Sequence, residues 1–239
     1  MEADIFIPCF IDQVSPQTGI SMVKLLKKAG VDVHYNPKQT CCGQMALNGG
    51  YVEEAKSVAK KLLADYNNKR YIVGPSASCA SFIRNQYPVL FDNSAYHLEA
   101  RGLVKRIYEL TDFLVNIAGF TDFKTEFQAK ATIHDSCSAL REYKLGNEPR
   151  QLLKNVKGLE IIEMEHKDVC CGFGGTFSVK HEAISTAMAQ QKVENAVATG
   201  AEYIISTEGS CLMHLQAYIE KNGISIKTIH IADLLANNI

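Results

Sequence analysis

Cysteines leave this chain few choices. The pair Cys170-Cys171 runs into the turn Gly172-Phe173-Gly174-Gly175, and the same Cys-Cys-Gly unit stands far upstream at Cys41-Cys42-Gly43. Each pair has one cysteine well before it and one well after. In the first half, 31 residues separate Cys9 from Cys41 and 36 separate Cys42 from Cys79. In the second half, 32 separate Cys137 from Cys170 and 39 separate Cys171 from Cys211. Equivalent cysteines are offset by 128, 129 and 132 residues. A drift that small over four landmarks marks an internal duplication.

Short apolar runs alternate with amphipathic stretches around these landmarks. Asp4-Ile5-Phe6-Ile7 reads as a buried strand ending at Pro8-Cys9, 31–35 as a strand before the first pair, and Tyr71-Ile72-Val73-Gly74 as a strand feeding Cys79. Helical spacing runs over 20–29, 52–66 and 104–118. The second half replays the order. Strands end at Cys137, precede the second pair at 159–162 and feed Cys211 from 203–206, with helices over 148–154 and 183–197 and a helix carrying His214. The tail Thr228–Leu235 has the pattern of Ile107–Leu114. This alternation predicts an α/β fold of two duplicated lobes, 1–124 and 125–239, related by a pseudo-twofold axis. Each lobe is expected to be a small, mainly parallel sheet with crossover helices. Ligands of such sheets gather beyond the carboxyl ends of the strands, where the cysteines fall.

Composition narrows the function. The 239 residues are 46% hydrophobic and 21% charged, with a formal charge of -1 and no long run of either sign. That balance gives no electrostatic footprint for nucleic acid or an anionic membrane. The start, Met1-Glu2-Ala3-Asp4, lacks the basic region of a signal peptide, and no apolar run reaches the roughly 18 residues of a membrane span. A cytoplasmic location is expected, with any membrane reached through a partner.

Eight cysteines in a reducing compartment point to metal or redox work rather than structural disulfides. A single cysteine in a strand is more often a small buried hydrophobe. The twofold recurrence argues against that for the set. Four soft ligands converging from loops suit an iron–sulfur cluster or zinc. Cys79 and Cys211 are expected at helix starts, where the dipole favours thiolate. Gly43, Gly172, Gly174 and Gly175 permit close approach of backbone amides to sulfur. Zinc usually takes short Cys-x-x-Cys knuckles, and none is present. The glycine turn also lacks the full G-x-G-x-x-G of a nucleotide site.

The doubled Cys…Cys-Cys-Gly…Cys pattern resembles the cysteine-rich CCG domain family of iron–sulfur proteins. That family includes the cysteine-rich component of heterodisulfide reductase and the iron–sulfur component of glycolate oxidase. The resemblance covers nearly the whole chain, from Pro8-Cys9 to the terminal helix. It implies cluster ligation by Cys9, Cys41, Cys42 and Cys79 in one half and by Cys137, Cys170, Cys171 and Cys211 in the other. The cofactor implied is a 4Fe–4S cluster, one or two per chain. The implied role is an electron-transfer subunit of an oxidoreductase complex that oxidises L-lactate to pyruvate. Its partners would be other iron–sulfur subunits of a lactate utilisation complex, with a membrane electron acceptor reached through them. Two alternatives stay open: a thiol–disulfide (heterodisulfide-type) reductase component and a structural zinc-binding protein.

Heterodisulfide reductase closes each motif with Cys-x-x-Cys. Here the fifth position is Phe82 in the first half and His214 in the second, so the fused cluster of that enzyme is not implied, and four thiolates suffice for a conventional four-iron cluster. His214, three residues past Cys211, is expected to face the second site as a ligand or hydrogen-bond partner. His134, Arg141, Lys180 and Glu208 fall near strand ends or motif loops as candidates for contact with the cluster or a substrate carboxylate. If only one half carries a cluster, the second, with His134-Asp135 and the longer glycine turn, is the stronger candidate. No flavin or nicotinamide motif is present.

Overall fold

The computed structural model describes residues 1–239 and resolves them into two four-stranded sheets, every strand parallel to its neighbours. Strands β1 (Glu2–Ile5), β2 (Asp32–Tyr35), β3 (Tyr71–Gly74) and β4 (Ile107–Glu109) form the first, in the order β2-β1-β3-β4. Strands β5 (Glu126–Ile133), β6 (Lys157–Ile161), β7 (Tyr203–Ser206) and β8 (Lys227–His230) form the second, in the order β6-β5-β7-β8. The shared order is the duplication in structural form. Parallel neighbours need crossover connections, and helices supply them.

Those helices form for local reasons. Pro16–Lys28 starts on a proline whose fixed φ suits the first turn, buries Met22, Leu25 and Leu26, and closes at Gly30 with φ +76°. Val52–Asp65 has Glu53 and Glu54 in its first turn and buries Ala55, Ala59, Leu62 and Leu63 on one face.

A core of 22 buried residues takes side chains from both halves: Ile5, Met22, Val73 and Phe113 with Ile133, Leu152, Ile205 and Leu234. The packing is reciprocal. The Pro16–Lys28 helix packs on the Ile231–Leu235 helix of the second half, and its counterpart Glu148–Leu153 packs on Leu110–Asp112 of the first. That exchange is what an approximate twofold axis produces. Smaller clusters of 19 and 11 residues fill the outer sides. No helix is long and apolar enough to cross a membrane.

One expected helix is corrected. The spacing over 104–118 predicts a continuous helix, but a helix ends at Val104 and Ile107–Glu109 is strand β4 beside β3. The chain turns helical again at Leu110–Asp112 and continues as a π-helical turn, Phe113–Ile117. The backbone edge of Ile72, Val73 and Gly74 would otherwise lack partners, and closing it outweighs local helix preference. The tail behaves alike, as β8 followed by the Ile231–Leu235 helix. Its likeness to Ile107–Leu114 is therefore a shared strand-to-helix corner.

Side chains cap both corners. The buried Glu109 carboxylate accepts from the Thr111 N–H at 2.7 Å and the Asp112 N–H at 3.2 Å. At the second corner, His230 Nδ1 accepts from the Ala232 N–H at 3.1 Å, and its Nε2–H donates to the Pro75 carbonyl of the other lobe at 3.1 Å. Burial pushes the Glu109 carboxyl up to about 8 from an ordinary 4.5. The folded group thus keeps a proton that the unfolded chain releases, so stability falls as pH rises through that window. Glu109→Gln keeps an acceptor and removes the titration. It should match the wild type within about 1 kcal/mol at pH 5 and exceed it by up to roughly 4 kcal/mol at pH 9 in urea unfolding under reducing conditions. Parallel pH curves for the two proteins would contradict the assignment.

Candidate metal centre

Strands β2, β1 and β3 are adjacent, so the loops leaving their carboxyl ends lie side by side. Cys9 opens the short Cys9–Val14 helix after β1, Cys41-Cys42 lie in the loop after β2, and Cys79 sits in the first turn of the Ala77–Leu90 helix after β3. Cys9 Sγ lies 3.5 Å from Cys41 Sγ, and Cys42 Sγ lies 3.5 Å from Cys79 Sγ. In the second lobe, Cys137 precedes the π-helical turn Ser138–Tyr143, and Cys211 sits in the first turn of the Gly209–Lys221 helix. Cys137 Sγ lies 3.9 Å from Cys170 Sγ. All eight cysteines are unbridged.

The Cys-Cys-Gly turn is the same in both lobes. Gly43 has φ +92° and Gly172 φ +94°, and their N–H groups donate to the sulfurs of Cys41 and Cys170 at 3.4 Å. A Cβ at Gly172 would stand 2.6 Å from the Ser185 carbonyl oxygen, and one at Gly43 would stand 3.3 Å from that of Ala55. Both backbone angle and space therefore demand glycine, more tightly in the second lobe. Gly174 and Gly175 steer the chain instead toward the other lobe, where a Cβ at Gly175 would meet Met45 Sδ at 2.9 Å. Phe173 meets Phe10, next to Cys9, edge to face at 5.7 Å. The two cysteine turns thus adjoin across the lobe interface.

Packed thiols share protons. Hydrogen bonds from Cys42 and Cys9 hold the Cys41 thiol far below its ordinary value. The hydrogen bond with Cys41, then burial, pushes Cys9 up, and Cys42 is raised by its bonds to Cys41 and Cys79. In the second lobe the bond to Cys170, then burial, raises Cys137. A soft cation entering either group displaces those protons and binds thiolates.

The surroundings differ sharply between lobes. Phe6 and His134 follow β1 and β5 at the same ladder position, the Phe6 N–H donating to the Val73 carbonyl at 2.9 Å and the His134 N–H to the Ile205 carbonyl at 2.8 Å. Ala55 and Ser185 both lay a carbonyl over the motif glycine. Seven residues further on stand buried Leu62 and buried Lys192. Phe82 and His214 follow the last cysteine of each set by three residues. The first site is therefore walled by Phe6, Ala55, Leu62 and Phe82, and the second by His134, Ser185, Lys192 and His214.

The structure sorts the candidates read from the sequence. His214 lies on the helix of Cys211, but its Nε2 is 3.1 Å from Ser185 Oγ and 3.4 Å from the Ser185 carbonyl. His134 is the histidine that converges on sulfur: one ring nitrogen and the Sγ atoms of Cys171 and Cys211 all lie within 4.8 Å of one another. Burial pushes its imidazole down to about 3, so the ring is neutral. Arg141 is exposed, its guanidinium 3.5 Å from the Asp168 carbonyl, and Lys180 is exposed at the end of the Thr176–Lys180 helix. Glu208 is buried and holds the lobes together. Its carboxylate accepts from the Ser78 N–H at 2.9 Å, from Ser76 Oγ at 3.1 Å and from Ser210 Oγ at 3.1 Å, which takes it away from any substrate.

Three residues of the site are absent from the sequence-based candidates. Tyr87 donates its hydroxyl to the Cys42 carbonyl at 2.8 Å, and Ser185 donates to the Gly172 carbonyl at 2.8 Å. Lys192 extends Nζ to the His166 carbonyl, and burial lowers its pKa. Lys192 had a legible signal: it sits among Ala189, Val193 and Ala196 on one helical face.

Two groups of four thiols at the ends of duplicated parallel sheets define a thiolate metal- or cluster-binding α/β protein. The donor set fits soft ions and iron–sulfur clusters alike. Residues 3–84 and 131–216 match CCG, the cysteine-rich domain family, and the chain belongs to it. It is similar over its full length to relatives in Bacillus. Lactate utilization protein A 2 of Bacillus cereus (strain AH820) is 40% identical, the match covering 100% of this chain and 99% of the relative. Lactate utilization protein A 1 of Bacillus mycoides (strain KBAB4) is 41% identical, covering 98% and 96%. A solved structure of a hypothetical protein from Helicobacter pylori superposes with a TM-score of 0.62 at 11% identity. The match covers 100% of this chain and 49% of that one, so the chain spans about half of its length, and the likeness shows fold alone.

The glycine geometry predicts an unequal response to substitution. Gly172→Ala should abolish soft-metal uptake at the second site while sparing the first, and Gly43→Ala should only weaken uptake at its own site. Cadmium titration under reducing conditions, read from thiolate charge-transfer absorbance, checks this. Equal losses in the two variants would contradict it.

Proposed function

We propose that this chain is an iron–sulfur electron-transfer subunit of a complex that oxidises L-lactate to pyruvate. The observation that carries the proposal is the pair of four-thiol groups in a chain 40% identical, end to end, to Lactate utilization protein A. Bound iron–sulfur clusters supply one-electron redox chemistry, which the two-electron, two-proton oxidation of lactate needs in order to pass its electrons on singly.

The residues of the chain then have distinct tasks. Cys9, Cys41, Cys42 and Cys79 hold one centre, and Cys137, Cys170, Cys171 and Cys211 hold the other. The Gly43 and Gly172 amides point partial positive charge at sulfur, which stabilises thiolate and raises the potential of what it binds. Buried Tyr87 and Ser185 fix the carbonyls of each turn. Cys9 is exposed, so the first centre opens toward a partner, whereas Cys171 and Cys211 are enclosed. Other iron–sulfur subunits are the expected partners, with a membrane acceptor reached through them and the chain itself cytoplasmic.

A specific observation favours a second reading, structural zinc. The sulfur pairs lie 3.5 to 3.9 Å apart, close to the edge of about 3.8 Å in a tetrahedron with metal–sulfur bonds of about 2.3 Å. Growth tests the role in lactate oxidation that both readings of the metal must serve. Deleting the gene should abolish growth on L-lactate as sole carbon source. The wild-type gene should restore it, and a Cys170→Ser/Cys171→Ser gene should not. Undiminished growth of the deletion strain on lactate would overturn the proposal.

A further inference from the structure

The second centre has a donor with no counterpart in the first. His134 stands three residues before Cys137, where the first lobe has Phe6 three residues before Cys9. It is 1% exposed, no side chain bonds either ring nitrogen, and the Lys167 backbone is the one acceptor within reach of a ring N–H. Leaving the other nitrogen of a buried imidazole bare is costly. A neutral imidazole offers one N–H and one lone pair. In the metal-free protein an S–H of Cys171 or Cys211 can serve the lone pair; a metal that displaces that proton takes its place at the same nitrogen. Lys192, the buried cation on that side, directs its Nζ to the His166 carbonyl. His214 is occupied by Ser185. What faces the lone pair is the space between Cys171 and Cys211, all three ligand atoms lying within 4.8 Å of one another. Imidazole lone pairs and thiolates are both ligands for iron and zinc.

We propose, resting on the iron–sulfur reading above, that His134 supplies a nitrogen ligand to the metal of the second centre beside Cys171 and Cys211. The second centre then has five protein donors and the first has four, so the two centres are chemically distinct. Phe6 is the natural control, because it holds the same backbone position with no donor.

The test uses the full chain, reconstituted anaerobically with iron and sulfide, in unlabelled and 15N-histidine forms. Cys41→Ser/Cys42→Ser removes the first centre, so that the remaining signal belongs to the second. Pulsed EPR of the reduced protein should show a strongly coupled nitrogen that changes isotope with the label. The coupling should vanish in His134→Phe and persist in His214→Phe, and the second-centre potential should shift in His134→Phe alone. Where the centre is EPR-silent, 57Fe Mössbauer spectra should show one distinct iron that is lost in His134→Phe. An assembled second centre without histidine coupling, or with coupling retained in His134→Phe, or with superposable Mössbauer spectra, would overturn the assignment. If His134→Phe does not fold, the isotope comparison repeated in His214→Phe decides, coupling retained there supporting the assignment and coupling lost overturning it. Failure of either site to take up iron and sulfide would instead overturn the iron–sulfur reading, and this assignment with it.

Discussion

Sulfur packed against sulfur is the constraint on which the rest of the structure turns. Neighbouring thiols at 3.5 Å in the first lobe and 3.9 Å in the second repel once ionised, so each group must either keep its protons or bind a cation. The spread of thiol acidities, Cys41 held low while Cys9 and Cys42 are pushed up, shows the metal-free solution to that repulsion. Three features hold the thiols together against it. Adjacent parallel strands deliver the loops, a left-handed glycine allows two consecutive cysteines to turn inward, and a helix start presents the last cysteine.

The lobe interface serves the same end. Glu208 lays its buried carboxylate on the first turn of the helix that carries Cys79, and His230 reaches the Pro75 carbonyl just before that turn. Phe173 and Gly175, from the second cysteine turn, rest on Phe10 and Met45 beside the first. Neither site is therefore finished by its own lobe. The two thiol groups are brought close across the lobe interface. Duplication has been followed by divergence of the walls: apolar Phe6, Ala55, Leu62 and Phe82 against polar His134, Ser185, Lys192 and His214. The second group of thiols therefore has polar walls and a buried cation where the first has apolar ones.

Much of this was legible in the sequence, because cysteine spacing and strand–helix alternation are both one-dimensional signals. The eight thiols, their division into two groups, the duplicated parallel lobes and the need for Gly43 and Gly172 could all be read there. The fourth strand of each sheet could not. Ile107-Tyr108-Glu109 carries apolar residues at a spacing compatible with a helix, and only the free edge of β3 makes it a strand. The approach of His134 to sulfur was hidden for a similar reason. His214 is close to Cys211 along a helix, whereas His134 reaches Cys211 from the end of β5, far off in sequence. Glu208 looked free to meet a substrate because nothing in the sequence places Ser76 and Ser78 against it.

The central claim is that both thiol groups hold iron–sulfur clusters. Anaerobic purification followed by iron, acid-labile sulfide and zinc determination on the same sample tests it most directly. The account predicts a brown protein with iron and sulfide in equal amounts, distributed between two sites, and little zinc. Ser substitution of Cys41 and Cys42, or of Cys170 and Cys171, should each remove one site's share. A colourless protein that carries zinc alone, even after anaerobic reconstitution with iron and sulfide, would contradict it.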